Sequence, residues 1–87
     1  MKHLLVRHKV ADFAKWKKAY DAHAAARKSA GLKQLHLLRS IDEPNDIVLL
    51  FSAANIAKAK ALISSADMRV ALQKAGVIGK PEFSFLK

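Results

Sequence analysis

Ile47-Val48-Leu49-Leu50-Phe51 is five apolar residues without interruption. A strand that alternates inside and outside puts a polar residue at every second position. This run has none, so it reads as a strand buried on both faces, Val48 and Leu50 on one and Ile47, Leu49 and Phe51 on the other. Immediately before it, Asp42-Glu43-Pro44-Asn45-Asp46 is dense in turn formers. Before that, residues 33–41 (Lys-Gln-Leu-His-Leu-Leu-Arg-Ser-Ile) read as another strand, with Leu35 and Leu37 on one face and Leu38 on the other. A connection this tight makes the two strands an antiparallel hairpin.

On the N-terminal side of the hairpin, residues 3–9 (His-Leu-Leu-Val-Arg-His-Lys) read as a first strand. Asp12 can then accept the free N–H groups of a first helical turn. From Phe13 the period changes to 3.6. Phe13, Trp16, Tyr20, His23, Ala24 and Arg27 share one arc, and Lys15, Lys18, Ala22, Ala25 and Ser29 lie opposite. The pattern predicts one five-turn amphipathic helix closed by Gly31. On the C-terminal side, Asn55 can cap a second helix over 56–63. Ser64-Ser65 interrupts it, and either serine can cap a further helix carrying Met68, Ala71, Leu72 and Ala75, ended by Gly76. Gly79 and Pro81 lead into a last strand, Glu82-Phe83-Ser84-Phe85-Leu86, where proline at the first position forgoes a ladder hydrogen bond.

The order is βαββαβ, the ferredoxin-like split βαβ arrangement of an α+β domain. Right-handed crossovers put strands one and three at the centre of a four-stranded antiparallel sheet with helices on one face. The two-faced apolarity of strand three then leaves the helix-free face needing cover, and a second copy packed sheet on sheet supplies it. Length points the same way. Eighty-seven residues make a single domain, 1–87, that buries only roughly 60% of its unfolded surface, yet 52% of the residues are hydrophobic.

Composition narrows the chemistry. The chain has no cysteine, hence no disulfide and no thiolate nucleophile. The apolar run Leu4-Leu5-Val6 is broken by Arg7, too short for a secretory leader, and no stretch nears the ~20 apolar residues of a membrane span. A cytoplasmic location is expected. Sixteen Lys/Arg against seven Asp/Glu give a formal net charge of +9, which favours anionic ligands, nucleic acid or anionic surfaces. The charges are dispersed, however, with Lys15, Lys17 and Lys18 as the only close cluster. That is also the pattern of an ordinary solvated basic surface.

The strand ending Val6-Arg7-His8-Lys9-Val10, the following Asp12-Phe13-Ala14-Lys15-Trp16 and Tyr20-Asp21, the Asp42–Asp46 turn with its apolar strand, and Ala75-Gly76-Val77 before a Pro-Glu-Phe strand together resemble small dimeric α/β-barrel proteins. That superfamily includes antibiotic-biosynthesis-type cofactor-independent monooxygenases, polyketide cyclases, muconolactone-isomerase-like enzymes and haem-degrading proteins. The resemblance spans nearly the whole chain. It implies a homodimer joined through its sheets and a pocket between sheet and helices in each subunit. Haem-degrading members use an Asn, a Trp and a His at set places. Here the first strand has no Asn, the one Trp lies in the first helix and the second helical region has no His.

Candidate site residues follow from the inner arc of the first helix. Trp16 and Tyr20 serve either as core or as an aromatic pocket wall, with Tyr20 able to hydrogen-bond a phenolic or carbonyl ligand. His23 shares the arc, and histidine is the side chain suited to moving a proton near neutral pH. Tyr20 and His23 are thus the catalytic candidates. Arg27 either snorkels at the helix end or pairs with an anion. On the strands, His8 and His36 alternate with Arg7 and Arg39, so that each arginine faces away from its neighbouring histidine. His8, His36 and Arg39 join Trp16 and Arg27 as candidate ligand contacts, with the face that lines a pocket left open.

The four histidines lack metal-ligand spacing, there is no phosphate-binding glycine loop and no nucleophile elbow, so no metal and no cofactor is expected. Three functions remain. One is a monooxygenase, cyclase or isomerase acting on an aromatic or polyketide-like molecule. A second is a non-catalytic domain that binds a small, anionic or aromatic ligand. Nucleic-acid binding is the least favoured, since no RNA-recognition signature occurs.

Overall fold

The computed structural model describes residues 2–87. Its elements are β1 (Lys2–Val10), α1 (Phe13–Ala22), α2 (Ala24–Ser29), β2 (Leu32–Arg39), β3 (Asp46–Ala53), α3 (Ile56–Ile63), α4 (Ala66–Lys74) and β4 (Val77–Leu86). The four strands form one sheet in the order β2-β3-β1-β4, every neighbouring pair antiparallel. This is the ferredoxin-like arrangement expected from the element order, with strands one and three in the middle.

Every second residue of β1, from Leu4 through Val6 and His8 to Val10, turns towards the helices and is buried. Ile47, Leu49, Phe51 and Ala53 do the same on β3. With Trp16, Ala30, Leu32, Ala59 and Ala75 they make the core, flanked by Phe13, Leu62, Ile63, Phe83 and Phe85. The caps are local. Asp12 accepts the Lys15 N–H at 3.2 Å, Asn55 the Lys58 N–H at 3.0 Å, and Ser65, rather than Ser64, the Met68 N–H at 3.0 Å.

Three features depart from the sequence reading. The first helix is not continuous: His23 (φ −95°, ψ 10°) stands between α1 and α2. The Tyr20 carbonyl accepts the His23 N–H at 3.1 Å, a tightened three-residue turn, and also Nη1 of Arg27 at 2.7 Å. A charge-assisted bond thus helps to satisfy a carbonyl at the break.

The last strand starts at Val77, five residues earlier than Glu82. Its register against β1 shifts between Lys9, opposite Ile78, and Arg7, opposite Glu82. Gly79 (φ 72°) and Pro81 lie in that irregular stretch. A glycine supplies the left-handed backbone there, and a proline without an N–H is harmless on an edge strand.

The hairpin strand β2 spans residues 32–39 rather than 33–41, leaving Ile41 in the turn and 97% exposed. It carries a bulge. Gln34 pairs with Phe51 but His36 pairs with Leu50, so Leu35 is the extra residue. Beyond it the alternation reverses. Leu37 and Arg39 stand opposite Leu49 and Ile47, on the helix side, while His36 and Leu38 take the open side with Leu50 and Val48.

The face without helices carries Leu5, Val48 and Leu50, all half-buried, beside Leu38, which is 57% exposed. At its edge Arg7 grips Asp46 with Nη2 2.9 Å from Oδ2, leaving the Asp46 side chain 7% exposed. Among the described residues, no helix is long and apolar enough to cross a membrane.

Candidate functional site

A cavity opens between the helix side of the sheet and the helices. The sheet contributes Leu4, Val6, His8, Leu49 and Phe51. The first helical pair contributes Trp16, Tyr20, His23 and Arg27, and α4 contributes Met68 and Leu72. It measures about 590 Å³ out to its open mouth, but the centre of a water-sized sphere can occupy only about 70 Å³ of it. The inner figure is well below the roughly 300 to 1,000 Å³ of sites that enclose a small molecule, so an occupant has to reach out through the mouth. The narrow bore favours a flat occupant.

One wall is an aromatic column. Tyr20 stacks on Trp16 with ring centroids 4.8 Å apart at 20°, and Phe13 leans on Trp16 from the other side at 5.7 Å. Helical spacing of four and three residues brings these rings together. His8 meets the edge of Trp16 at 5.7 Å and 70°. At the far end the Arg27 guanidinium lies 3.6 Å from the centre of the Tyr20 ring.

His8 is the chemically distinctive residue. It is 5% exposed, and neither ring nitrogen has a hydrogen-bond partner among the described residues. Buried polar groups are nearly always satisfied, and leaving one bare costs about 1–3 kcal/mol. Burial disfavours the imidazolium and pulls the His8 pKa below the ordinary 6.5, a shift that nearby Asp46 opposes only in part. At neutral pH the ring is therefore uncharged, with one nitrogen lone pair free to accept a proton in a water-poor slot.

Tyr20 is differently placed. Its hydroxyl donates to Oε1 of Gln34 at 2.7 Å, and burial pushes its pKa up, so the phenol stays protonated with its proton already engaged. Arg27 keeps its charge although burial lowers its pKa from a very high starting value. No carboxylate pairs with it among the described residues.

Of the residues singled out from sequence, the structure gathers Trp16, Tyr20, His23, Arg27 and His8 around the cavity. His36 and Arg39 lie elsewhere. The Leu35 bulge turns His36 to the helix-free face. Arg39 is on the helix side but covers the Phe13 ring at 3.7 Å and donates to the Pro44 carbonyl at 2.8 Å, outside the cavity. Strand alternation thus pairs neither the two histidines nor the two arginines; each face receives one of each. Gln34, which engages the Tyr20 hydroxyl, carries no motif, and Met68 and Leu72 are legible from sequence as positions of their helix but not as cavity wall. The parity of Leu4, Val6, His8 and Val10 does mark His8 as inward. No cluster of three or more metal-ligating side chains occurs among the described residues.

No protein-family model and no curated protein sequence matches the chain. Solved structures do. SnoaB of Streptomyces nogalater, a cofactor-independent oxygenase, superposes with a TM-score of 0.75 at 16% identity, over 99% of this chain and 90% of its own. A candidate antibiotic biosynthesis monooxygenase from Caulobacter crescentus gives 0.71 at 22% identity, over 98% and 86%. Another from Nitrosomonas europaea gives 0.69 at 17%, over 100% and 97%. At these identities the likeness is one of fold: the chain has the architecture of antibiotic-biosynthesis-monooxygenase proteins.

Proposed function

We propose that this protein is a cofactor-independent enzyme that removes a proton from a flat aromatic or polyketide-like substrate, with His8 as the proton acceptor. One observation carries the reading: a neutral, unpartnered histidine is held at a stability cost inside an aromatic-walled slot. A base of that kind suits a substrate whose acidic C–H or O–H enters the slot. Oxygenation is the favoured outcome, in keeping with the named activity of SnoaB. Deprotonation makes the substrate electron-rich enough to reduce dioxygen itself. Conversion of a ring CH₂ to a carbonyl takes one oxygen atom of O₂ into the product, while both hydrogens leave with the other as water. Cyclisation or isomerisation would use the same first step without oxygen.

The proposed working unit is a cytoplasmic homodimer of single-domain chains, joined through the open face around Leu5, Leu38, Val48 and Leu50. Two central strands with apolar side chains on that face support a second copy as the occupant. A non-catalytic binding role is the second reading, favoured by the nearly wholly apolar cavity lining.

The test is aerobic incubation of the purified protein with tricyclic phenols carrying an acidic ring CH₂, each with and without a ring carboxylate, following oxygen uptake and product absorbance with nothing else added. Turnover is expected, reduced at least ~100-fold in His8→Leu. Absence of turnover across the panel, or full activity in that variant, would overturn the enzyme reading.

A further inference from the structure

The aromatic column meets two groups of different charge. The neutral imidazole of His8 abuts the edge of Trp16, and the guanidinium of Arg27 closes the Tyr20 end, reached from His8 by steps of 5.7 Å to Trp16, 4.8 Å to Tyr20 and 3.6 Å to Arg27. Arg27 is half-buried and lines the cavity. One of its five N–H donors bonds the Tyr20 carbonyl, and no carboxylate stands within ion-pair distance of it among the described residues; Asp21 acts on it only from farther off.

A surface arginine without a partner is unremarkable, because water solvates it. One laid flat on a ring at the wall of an apolar slot has lost part of that solvation. Its helix neighbours offer nothing anionic facing the slot: Asp21 is bound to Lys17 Nζ at 2.7 and 2.8 Å on the exposed side. The stack on Tyr20 and the bond to the Tyr20 carbonyl hold the planar group in one orientation, and guanidinium so held matches a carboxylate in geometry as well as charge.

We infer that the cavity takes an aromatic acid, a planar ring system bearing a carboxylate, with the carboxylate paired to Arg27 and the ring along the Trp16–Tyr20 wall. This rests on the cavity being the ligand site and deepens that reading by naming the substrate class. The anion is fixed at one end, so the opposite part of the ring system is presented towards His8. Arg27 is thereby the specificity-determining residue, and the acid is distinguished from a neutral molecule of the same shape.

Matched probes test it without needing turnover. Trp16 is the sole tryptophan, so its fluorescence reports binding of 2-naphthoate and of its neutral isostere 2-naphthamide. The wild-type protein should bind the acid at least about tenfold more tightly than the amide. In Arg27→Gln the preference should vanish, the amide binding as before; Arg27→Lys, which keeps the charge but not the fork, should retain part of it. Lys28→Gln removes an exposed neighbouring charge and should leave the preference intact, which separates a local contact from the general basicity of the chain. Equal binding of the two probes by wild type, binding of neither, or a preference surviving in Arg27→Gln would each overturn the assignment. If Arg27→Gln fails to fold, the wild-type, Arg27→Lys and Lys28→Gln comparisons still decide it. An Arg27-dependent preference in a protein that turns nothing over would sink the enzyme reading alone. Turnover indifferent to the carboxylate would sink this one alone.

Discussion

The hydroxyl of Tyr20 on α1 donates to Oε1 of Gln34 on β2 at 2.7 Å, tying the first helix to the edge strand. The bond commits the only proton the phenol has. Tyr20→Phe is expected to keep the stack on Trp16 and to lose about 0.5–1.5 kcal/mol of stability, measured by urea denaturation. Turnover should be unchanged within about twofold. A fall of a hundredfold would instead make the phenol a donor to the substrate.

His8 should behave as a residue kept for chemistry rather than for packing. Replacing a buried, unpartnered imidazole by leucine removes an unmet desolvation cost, so His8→Leu should gain about 1 kcal/mol while losing turnover. The pH profile has a fixed sign. The folded-state pKa lies below the ordinary 6.5, so the unfolded chain binds the extra proton first. Wild-type stability should decline as pH falls from about 6.5 towards the lower folded value, and the contribution of this site to that decline should be absent in His8→Leu. Thermal melts between pH 5 and 8 read the difference.

Asp46 supplies a second acid-sensitive step in another window. The hydrogen bond from Arg7 holds its carboxyl below the ordinary 3.8. Its contribution is complete above that value and is lost as pH falls through the folded pKa. Wild type should therefore exceed Asp46→Asn in stability by a constant margin from pH 5 to 7. The gap should close below about pH 3.8. A margin that does not shrink at all as pH falls below 3.8 would show that the pair is not the source.

Leu50 lies near the middle of the open face, opposite His36 on one side and Leu5 on the other. Leu50→Lys puts a charge there without touching the core. Sedimentation should show about twice 9.6 kDa for wild type and a folded monomer for the variant. A wild-type monomer at micromolar concentration would remove the dimer from the proposal.

The architecture was legible because periodicity carries it. The apolar run 47–51 is the body of β3, and the Asp12 and Asn55 caps and the Ser64-Ser65 interruption each fall where a helix begins. What periodicity cannot report is a local change of phase. Leu35 looks like any strand leucine, and Gly79 like simple punctuation before Pro81, yet both mark irregular pairing. The break at His23 is hidden for a similar reason: Ala24, Ala25 and Ala26 are strong helix formers, and what helps satisfy the Tyr20 carbonyl there is a side chain seven residues on. The cavity residues of the first helical arc could be grouped from sequence. That His8 is bare, and that the Tyr20 proton is engaged by Gln34, depends on pairings 14 or more residues apart, which no local pattern encodes.

The Leu35 bulge also gives β2 one position where a residue can be lost without changing the frame of the strand. Without Leu35, Gln34 and His36 would be neighbours, still opposite Phe51 and Leu50, and the pairing would simply become regular. The damaging change is the opposite one, in which Leu35 takes a partner of its own on β3. His36 and Leu38 would then swing in towards the helices, while Leu37 and Arg39 would be handed to the outer surface. Phe13 would lose the guanidinium that covers it, and the open face would trade a leucine for a cation. An exposed residue that buries little thus keeps the second half of the strand in phase.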